Sequence, residues 1–371
     1  MGAATIVSAE RLELRISAKS LWIFLRVTCS DGITGHGEAT MEGHEPEVRA
    51  ALDRLIGLIA DEPAAPERTR MRMLLSAIGP SPHGFTAISA LDQALWDAQG
   101  QRQGTPVAAL LAEHRAPVRL YANINRGIAR RDPAGFAAAA RKAATAGFTM
   151  IKIAPFDGLN WTGGKDPEGQ PSYRAGLERI AAVRDAIGPD VALAVDCHWR
   201  FDASTAKALI HDTAPMAPHW IECPIAETVA AIPDLRRLRQ RCHDTGTLLA
   251  GLESANGLEE FQGFITGGAY DVIMPDVKYA GGLGECLRIA EAAEAGGIAC
   301  SPHNPTGPVC HAASLHLASA LRNCPVLEHQ FRETPAFDSI VTPAFPALAG
   351  GIAPLPAASG LGITLRLPQK A

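Results

Sequence analysis

Two short apolar runs, Met150-Ile151-Lys152-Ile153 and Val191-Ala192-Leu193-Ala194-Val195, the second closing on Asp196, flank a helical stretch at Arg174–Ile187. The same strand, helix, strand rhythm extends in both directions. Upstream, Val118–Ala122 is followed by the alanine-rich Ala134–Ala146. Downstream, Ala203–Thr213 leads to Trp220-Ile221, and then come Leu248–Leu252, Val272–Met274, Ile298–Cys300 and Val326-Leu327. Eight apolar runs over about 210 residues fit a parallel β/α barrel, which typically needs about 250 residues or slightly fewer. An open doubly wound sheet fits less well, because no G-x-G-x-x-G follows a strand.

A chain of 371 residues is long for one core, and a different pattern precedes the barrel. Leu21–Val27 is β-rich, Asp31-Gly32 marks a turn, and Ile33–Glu38 reads as the returning strand. From Pro46 to Leu111 the spacing turns helical, with Ala90, Leu91, Ala94, Leu95 and Ala98 on one face of Ala87–Gln99. The expected organisation is an α+β domain over 1–116, a barrel over 117–334 and a closing segment over 335–371. That segment ends in a strand-like Gly362–Leu367, expected to pack back on the first domain.

With 47% hydrophobic and 20% charged residues, the composition is that of an ordinary globular protein. A net charge of −5 without a Lys/Arg cluster argues against nucleic acid as a partner. No apolar run approaches the roughly 20 residues that span a bilayer, and Met1–Thr5 lacks a secretory layout, so a cytoplasmic protein is expected. None of the eight cysteines forms a C-x-x-C pair, and they read as reduced thiols.

In a β/α barrel, chemistry gathers where each strand's C-terminal end meets its loop. Here those ends deliver Lys152, Asp196, Glu222, Glu253, Asp276, His303 and Glu328, with His198 two residues after Asp196. Three carboxylates brought together need a cation, and an all-oxygen set favours Mg²⁺, so Asp196, Glu222 and Glu253 are the expected metal ligands. Asp276 and His303 end neighbouring strands, and a carboxylate on one imidazole nitrogen makes the other a general base. His198 shares a side with Asp196 on an extended chain and could act as an acid. Lys152 is expected to point inward. Asn123, Asn125, Arg126, Arg200 and His44 are candidate contacts to an anionic small-molecule substrate. The remaining histidines, His83 among them, read as structural or surface residues.

These residues resemble the enolase superfamily, in its mandelate racemase/muconate lactonizing enzyme subgroup. The stretches that carry the likeness are Gly35-His36-Gly37-Glu38, Ala90–Asp97, Trp220–Pro224, Met274–Gly282, Ser301-Pro302-His303 and Gly360–Ile363. The resemblance implies an α/β fold: a modified (β/α)8 TIM-type barrel with an N-terminal α+β capping domain completed by the C-terminal tail. It implies one Mg²⁺ on Asp196, Glu222 and Glu253, a His303–Asp276 base, and Glu328 near the substrate carboxylate, which Lys152 would help hold. It also implies a homo-oligomer. Asp196-Cys197-His198-Trp199-Arg200 is similar to galactonate-type acid-sugar dehydratases, in which Asp-x-His gives a metal ligand and the acid that expels the 3-hydroxyl. Racemases of the subgroup carry Lys-x-Lys after strand two, whereas here Ala154 follows Lys152. A racemase, epimerase or lactone cycloisomerase is therefore the alternative reading, and a non-catalytic metal-dependent binding protein a remote one.

Overall fold

Three antiparallel strands open the fold in the computed structural model, which describes residues 4–17, 20–159 and 170–367. β1 (Ile6–Arg15) pairs with β2 (Leu21–Cys29), and β2 with β3 (Thr34–Glu38). Alternate side chains of β2 point to opposite faces. Ile23, Leu25 and Val27 therefore join the core of the first domain, while Trp22 and Phe24 join the cluster of the barrel. α1 (Glu45–Ile56), α2 (Arg68–Ile78) and α3 (Pro82–Gln103) cover the other side of the sheet, and the short α4 (Val107–Leu111) leads out. β3 lies directly on α3. A Cβ at Gly35 or Gly37 would come within 1.9 Å of the Ala94 or Ala90 carbonyl oxygen, so only glycine permits the approach.

The barrel strands follow: β4 (Val118–Asn123), β5 (Met150–Ile153), β6 (Ala192–Asp196), β7 (Trp220–Glu222), β8 (Leu248–Gly251), β9 (Val272–Ile273), β10 (Ala299–Cys300) and β11 (Leu327–Gln330). Each pairs in parallel with the next through β10, and β11 pairs in parallel with β4. At the β10–β11 seam, Cys300 N donates to Asn323 O (2.9 Å) and Ser301 Oγ to Val326 O (2.8 Å). The outer ring is α5 (Pro133–Thr145), α6 (Pro171–Ile187), α7 (Ala203–Thr213), α8 (Ile232–Asp244), α9 (Gly257–Thr266), α10 (Leu283–Ala295) and α11 (Pro308–Ala320). Among the described residues only the four-residue α12 (Ala336–Ser339) follows β11, which makes this a modified barrel.

Beyond it come β12 (Val341–Thr342), β13 (Ile352–Ala353) and β14 (Thr364–Leu365). β13 runs antiparallel to the start of β4, and β14 pairs with β12 rather than with the first sheet. The tail nevertheless touches the first domain: Val107 N donates to Gly360 O, and Leu361 N to Asp97 Oδ1 (2.9 Å each). The expected closing strand thus shrinks to two residues, paired within the tail.

Acids of the first domain cap two barrel helices. Buried Glu38 accepts from Thr306 Oγ1 and Gly307 N (2.8 Å each) and from Cys310 N (3.0 Å), at the start of α11. Asp92 accepts from Leu283 N (2.6 Å) at the start of α10. Unpaired N–H groups and the positive end of each helix dipole are satisfied by a carboxylate from the other domain. These contacts fix the first domain on one side of the barrel. Among the described residues no helix is long and apolar enough to cross a membrane.

Candidate active site

Inside the barrel a belt of Tyr121, Met150, Ala194, Trp220, Ala250, Val272, Met274 and Val326 forms one cluster. Because inward-facing positions recur every second residue, the next inward positions are Asn123, Lys152, Asp196, Glu222, Asp276 and Glu328. β8 breaks the alternation. Leu252 has φ of 72° and joins the outer cluster, so that Glu253 faces the cavity in its place. Cys223, His198 and Trp199 are likewise left-handed without being glycine, within three residues of Glu222 or Asp196. Such strained positions cost about 1–3 kcal/mol each and persist only where surrounding contacts hold them.

One side chain holds several of them. Glu227, in the loop after β7, accepts from Leu252 N (2.6 Å), Tyr270 Oη (2.7 Å) and Trp199 Nε1 (2.8 Å), tying together the loops after β6 and β8. Sequence reasoning did not find Glu227, since nothing near it in the chain announces these distant partners.

Asp196, Glu222 and Glu253 are buried and bring one carboxylate oxygen each within 4.8 Å of one another. Burial raises Glu222 to about 7, and burial together with neighbouring Asp196 raises Glu253 well above the carboxylate range. Burial also works against Asp196, but the adjacent His198 and Lys152 outweigh it and hold Asp196 at about 2. Glu253 Oε2 is buried without a hydrogen-bond partner. An orphaned carboxylate oxygen in a set of hard oxygen donors fits a divalent cation of the Mg²⁺ type.

His303 Nδ1 is 2.8 Å from Asp276 Oδ2, and His303 Nε2 is 3.4 Å from Glu253 Oε2, so the free nitrogen faces the carboxylates. Lys278 Nζ holds the same Asp276 oxygen (2.8 Å), while Lys278 N donates to its Oδ1 (2.7 Å). Burial pushes Asp276 up, but Lys278 and His303 bring it below its ordinary value. Burial lowers His303 below its ordinary value, against the pull of Glu328 and Asp276, and so favours the neutral imidazole. On the opposite flank, His198 Nε2 lies 2.9 Å from Asp196 Oδ2, and that carboxylate raises His198. The His198 side chain is 42% exposed, at the mouth.

Lys152 points inward, as expected, among the barrel carboxylates. It is fully buried, with Nζ 2.6 Å from Glu222 Oε1 and 2.9 Å from Glu328 Oε1. Glu328 is also fully buried, and it accepts from Asn123 Nδ2 (2.7 Å) and Asn304 N (2.9 Å). Both charges are thus paired with neighbouring side chains inside the barrel. Asn125 Nδ2 donates to Asn123 Oδ1 (2.7 Å), and Ala154 N to Asn125 Oδ1 (2.7 Å), so the two asparagines bridge β4 and β5. Arg126 pairs with Glu333 and Glu42 (3.1 Å each), and Arg200 donates to Leu159 O (2.7 Å). His44 lies against His83 on the first domain. The structure therefore unites Lys152, Asp196, His198, Glu222, Glu253, Asp276, His303 and Glu328, with Asn123 beside them. Lys278 and Asn304 complete the network, and both lie inside or next to stretches already singled out in the sequence.

The chain was compared with known proteins. Residues 8–112 match the family described as Mandelate racemase / muconate lactonizing enzyme, N-terminal domain, and residues 135–370 match Enolase C-terminal domain-like. D-galactonate dehydratase of Ralstonia pickettii (strain 12J) is 32% identical over 356 residues, covering 93% of this chain and 88% of that protein. The D-galactonate dehydratase of Xanthomonas euvesicatoria pv. vesicatoria (strain 85-10) is 30% identical with the same coverage. Among solved structures, a mandelate racemase/muconate lactonizing enzyme from Jannaschia sp. CCS1 superposes with a TM-score of 0.84 at 26% identity, over 97% of this chain and 95% of that one. A member of the enolase superfamily from Salmonella Typhimurium gives 0.87 at 22% identity, over 98% and 96%, a likeness of fold. Two family domains in order, a barrel of eight parallel strands and a carboxylate cluster at its mouth make this chain a member of the mandelate racemase/muconate lactonizing enzyme family of the enolase superfamily.

Proposed function

We propose that this protein is an acid-sugar hydro-lyase, which dehydrates an aldonate or aldarate to a 2-keto-3-deoxy acid with Mg²⁺ as cofactor. The observation that carries the proposal is the pair of imidazoles on either side of one carboxylate cluster, His303 on Glu253 and His198 on Asp196. Their environments push them apart: burial makes His303 the neutral partner, and Asp196 favours the charged form of His198. Separated values of this kind are how one site holds a base and an acid at the same pH. The dehydratase names of the relatives agree with this reading.

Asp196, Glu222 and Glu253 would hold Mg²⁺, which when bound supplies positive charge to a substrate carboxylate as its α-proton leaves. His303, fixed through Nδ1 by Asp276, takes the C2 proton on Nε2. His198 donates a proton to the departing 3-hydroxyl, so that water leaves and the resulting enol tautomerises to the keto acid. Lys152 and Glu328 act behind the ligands: the ammonium offsets Glu222 and keeps the cluster from accumulating uncompensated negative charge. Dehydration needs one base at C2 and one acid at the leaving hydroxyl, not a second base. Ala154, where racemases of this subgroup place a second lysine, agrees with that. The test is turnover of a library of aldonic and aldaric acids with Mg²⁺, following 2-keto acid formation. The proposal expects a hit that EDTA abolishes; silence across the library, with C2 exchange in D₂O, would move the assignment to epimerisation or cycloisomerisation.

A further inference from the structure

A second group of metal-ligating side chains lies on the first domain. His44 precedes α1 as its N-cap residue, Glu47 follows in the first turn, and His83 is in the first turn of α3. His44 Nδ1 and His83 Nε2 are 3.3 Å apart, and a Glu47 carboxylate oxygen and one ring nitrogen of each histidine lie within 4.8 Å of one another. Helix capping does not explain the arrangement. The His44 side chain makes no cap hydrogen bond, and α3 is capped by Ser81, whose Oγ accepts from Gly84 N (3.1 Å). Nor does core packing, since His44 and Glu47 are exposed and His83 is half-buried.

We infer that His44, Glu47 and His83 form a binding site for a transition-metal dication of the Zn²⁺ class, distinct from the barrel carboxylates. Two imidazoles and one carboxylate are a donor set suited to Zn²⁺ and its neighbours, whereas Mg²⁺ takes oxygen ligands. Two ligands on a tetrahedral ion with bonds of about 2.0–2.1 Å stand about 3.3–3.4 Å apart, which matches the His44–His83 separation. The exposed side of the cluster leaves room for water to complete the coordination. Two helix N-termini converge here, and their dipoles disfavour a cation. Glu45 and Glu47 in the first turn of α1 oppose that effect.

An ion at this site would fasten the start of α1 to the start of α3. It would also anchor the preceding segment, whose Thr40 O accepts from Tyr279 Oη (3.4 Å) and whose Glu42 pairs with Arg126 (3.1 Å), both on barrel loops. The site thus lies at the base of a connection that reaches the barrel mouth.

The experiment is a calorimetric titration of Zn²⁺ into metal-stripped full-length protein held in saturating Mg²⁺, so that the barrel carboxylates are already filled. The wild-type protein is expected to take up one Zn²⁺ per chain and to gain thermal stability. His83→Gln and Glu47→Gln are expected to lose that uptake while still binding Mg²⁺, which also reports that they are folded. Co²⁺ in place of Zn²⁺ should give the intense visible bands of a low-coordinate nitrogen site, rather than the weak bands of a six-oxygen one. Absence of Zn²⁺ uptake by the wild-type protein would overturn the inference and leave His44–His83 a plain imidazole hydrogen bond. Uptake undiminished in His83→Gln would overturn it too, assigning the ion to the barrel.

Discussion

Replacing Lys152 by methionine removes one ammonium from between two buried carboxylates while keeping most of the side chain's volume. At an effective dielectric of about 20, charges 2.6 and 2.9 Å apart attract by about 6 kcal/mol each. Removing the ammonium also removes its own desolvation penalty, so breaking such a buried pair costs about 3–5 kcal/mol. With an unfolding entropy of about 2.1 cal/mol/K per residue, 371 residues convert that loss into a fall in Tm of about 4–6 °C. The loss should depend on pH. Without Lys152, Glu222 and Glu328 hold protons more tightly in the fold than in the unfolded chain, where a glutamate titrates near about 4.3. The deficit is therefore absent well below that value and grows as pH rises through the raised folded values. The assay is thermal unfolding of wild-type and Lys152→Met protein across pH 4–9 with EDTA, paired with steady-state kinetics in Mg²⁺. An unchanged Tm together with a raised KM and intact kcat would refute the reasoning, because it would mean that Lys152 anchors the substrate rather than balancing the wall.

Further outcomes follow from the same site. The kcat/KM profile should be bell-shaped: its acid limb, set by protonation of His303, should fall below the ordinary imidazole value near about 6.5, and its alkaline limb, set by loss of the His198 proton, above it. Because burial holds Glu222 at about 7 and Glu253 above the carboxylate range, Mg²⁺ binding at pH 6–7 should release protons, visible as a buffer-dependent binding enthalpy. Glu227→Gln should weaken Mg²⁺ binding by about 10–100-fold with the fold retained, as the loops carrying the ligands lose their common tie. Unaltered Mg²⁺ affinity in that variant would show that the strained loops hold without it.

The barrel was legible because its strands are short apolar runs with helices between them, and because period-two alternation carries Met150 to Lys152 and Trp220 to Glu222 on one face. The residues that gather at its mouth were readable for the same reason. What the chain did not disclose is who meets whom. Lys152 could be read as inward, but not that Glu222 and Glu328 reach it from strands 70 or more residues away. Lys278 stands two residues after Asp276, yet a left-or-right choice of side-chain direction decides whether it serves the base or solvent. Asp276 itself lies beyond β9, which ends at Ile273, yet it still meets His303 as the strand-end reading expected. Glu38 and Asp92 stood within stretches that carried the family likeness, and only the docked helices show what they hold. Arg200 and His44, expected near the substrate, also have partners the sequence did not announce: a backbone oxygen and a second histidine.

The central claim is that one imidazole starts the reaction and the other finishes it, and deuterium exchange at C2 separates the two. With a turned-over sugar acid in D₂O and Mg²⁺, His198→Asn should still exchange the C2 proton while forming little keto acid, and His303→Asn should do neither. Dehydration by His303→Asn at close to the wild-type rate would contradict the account.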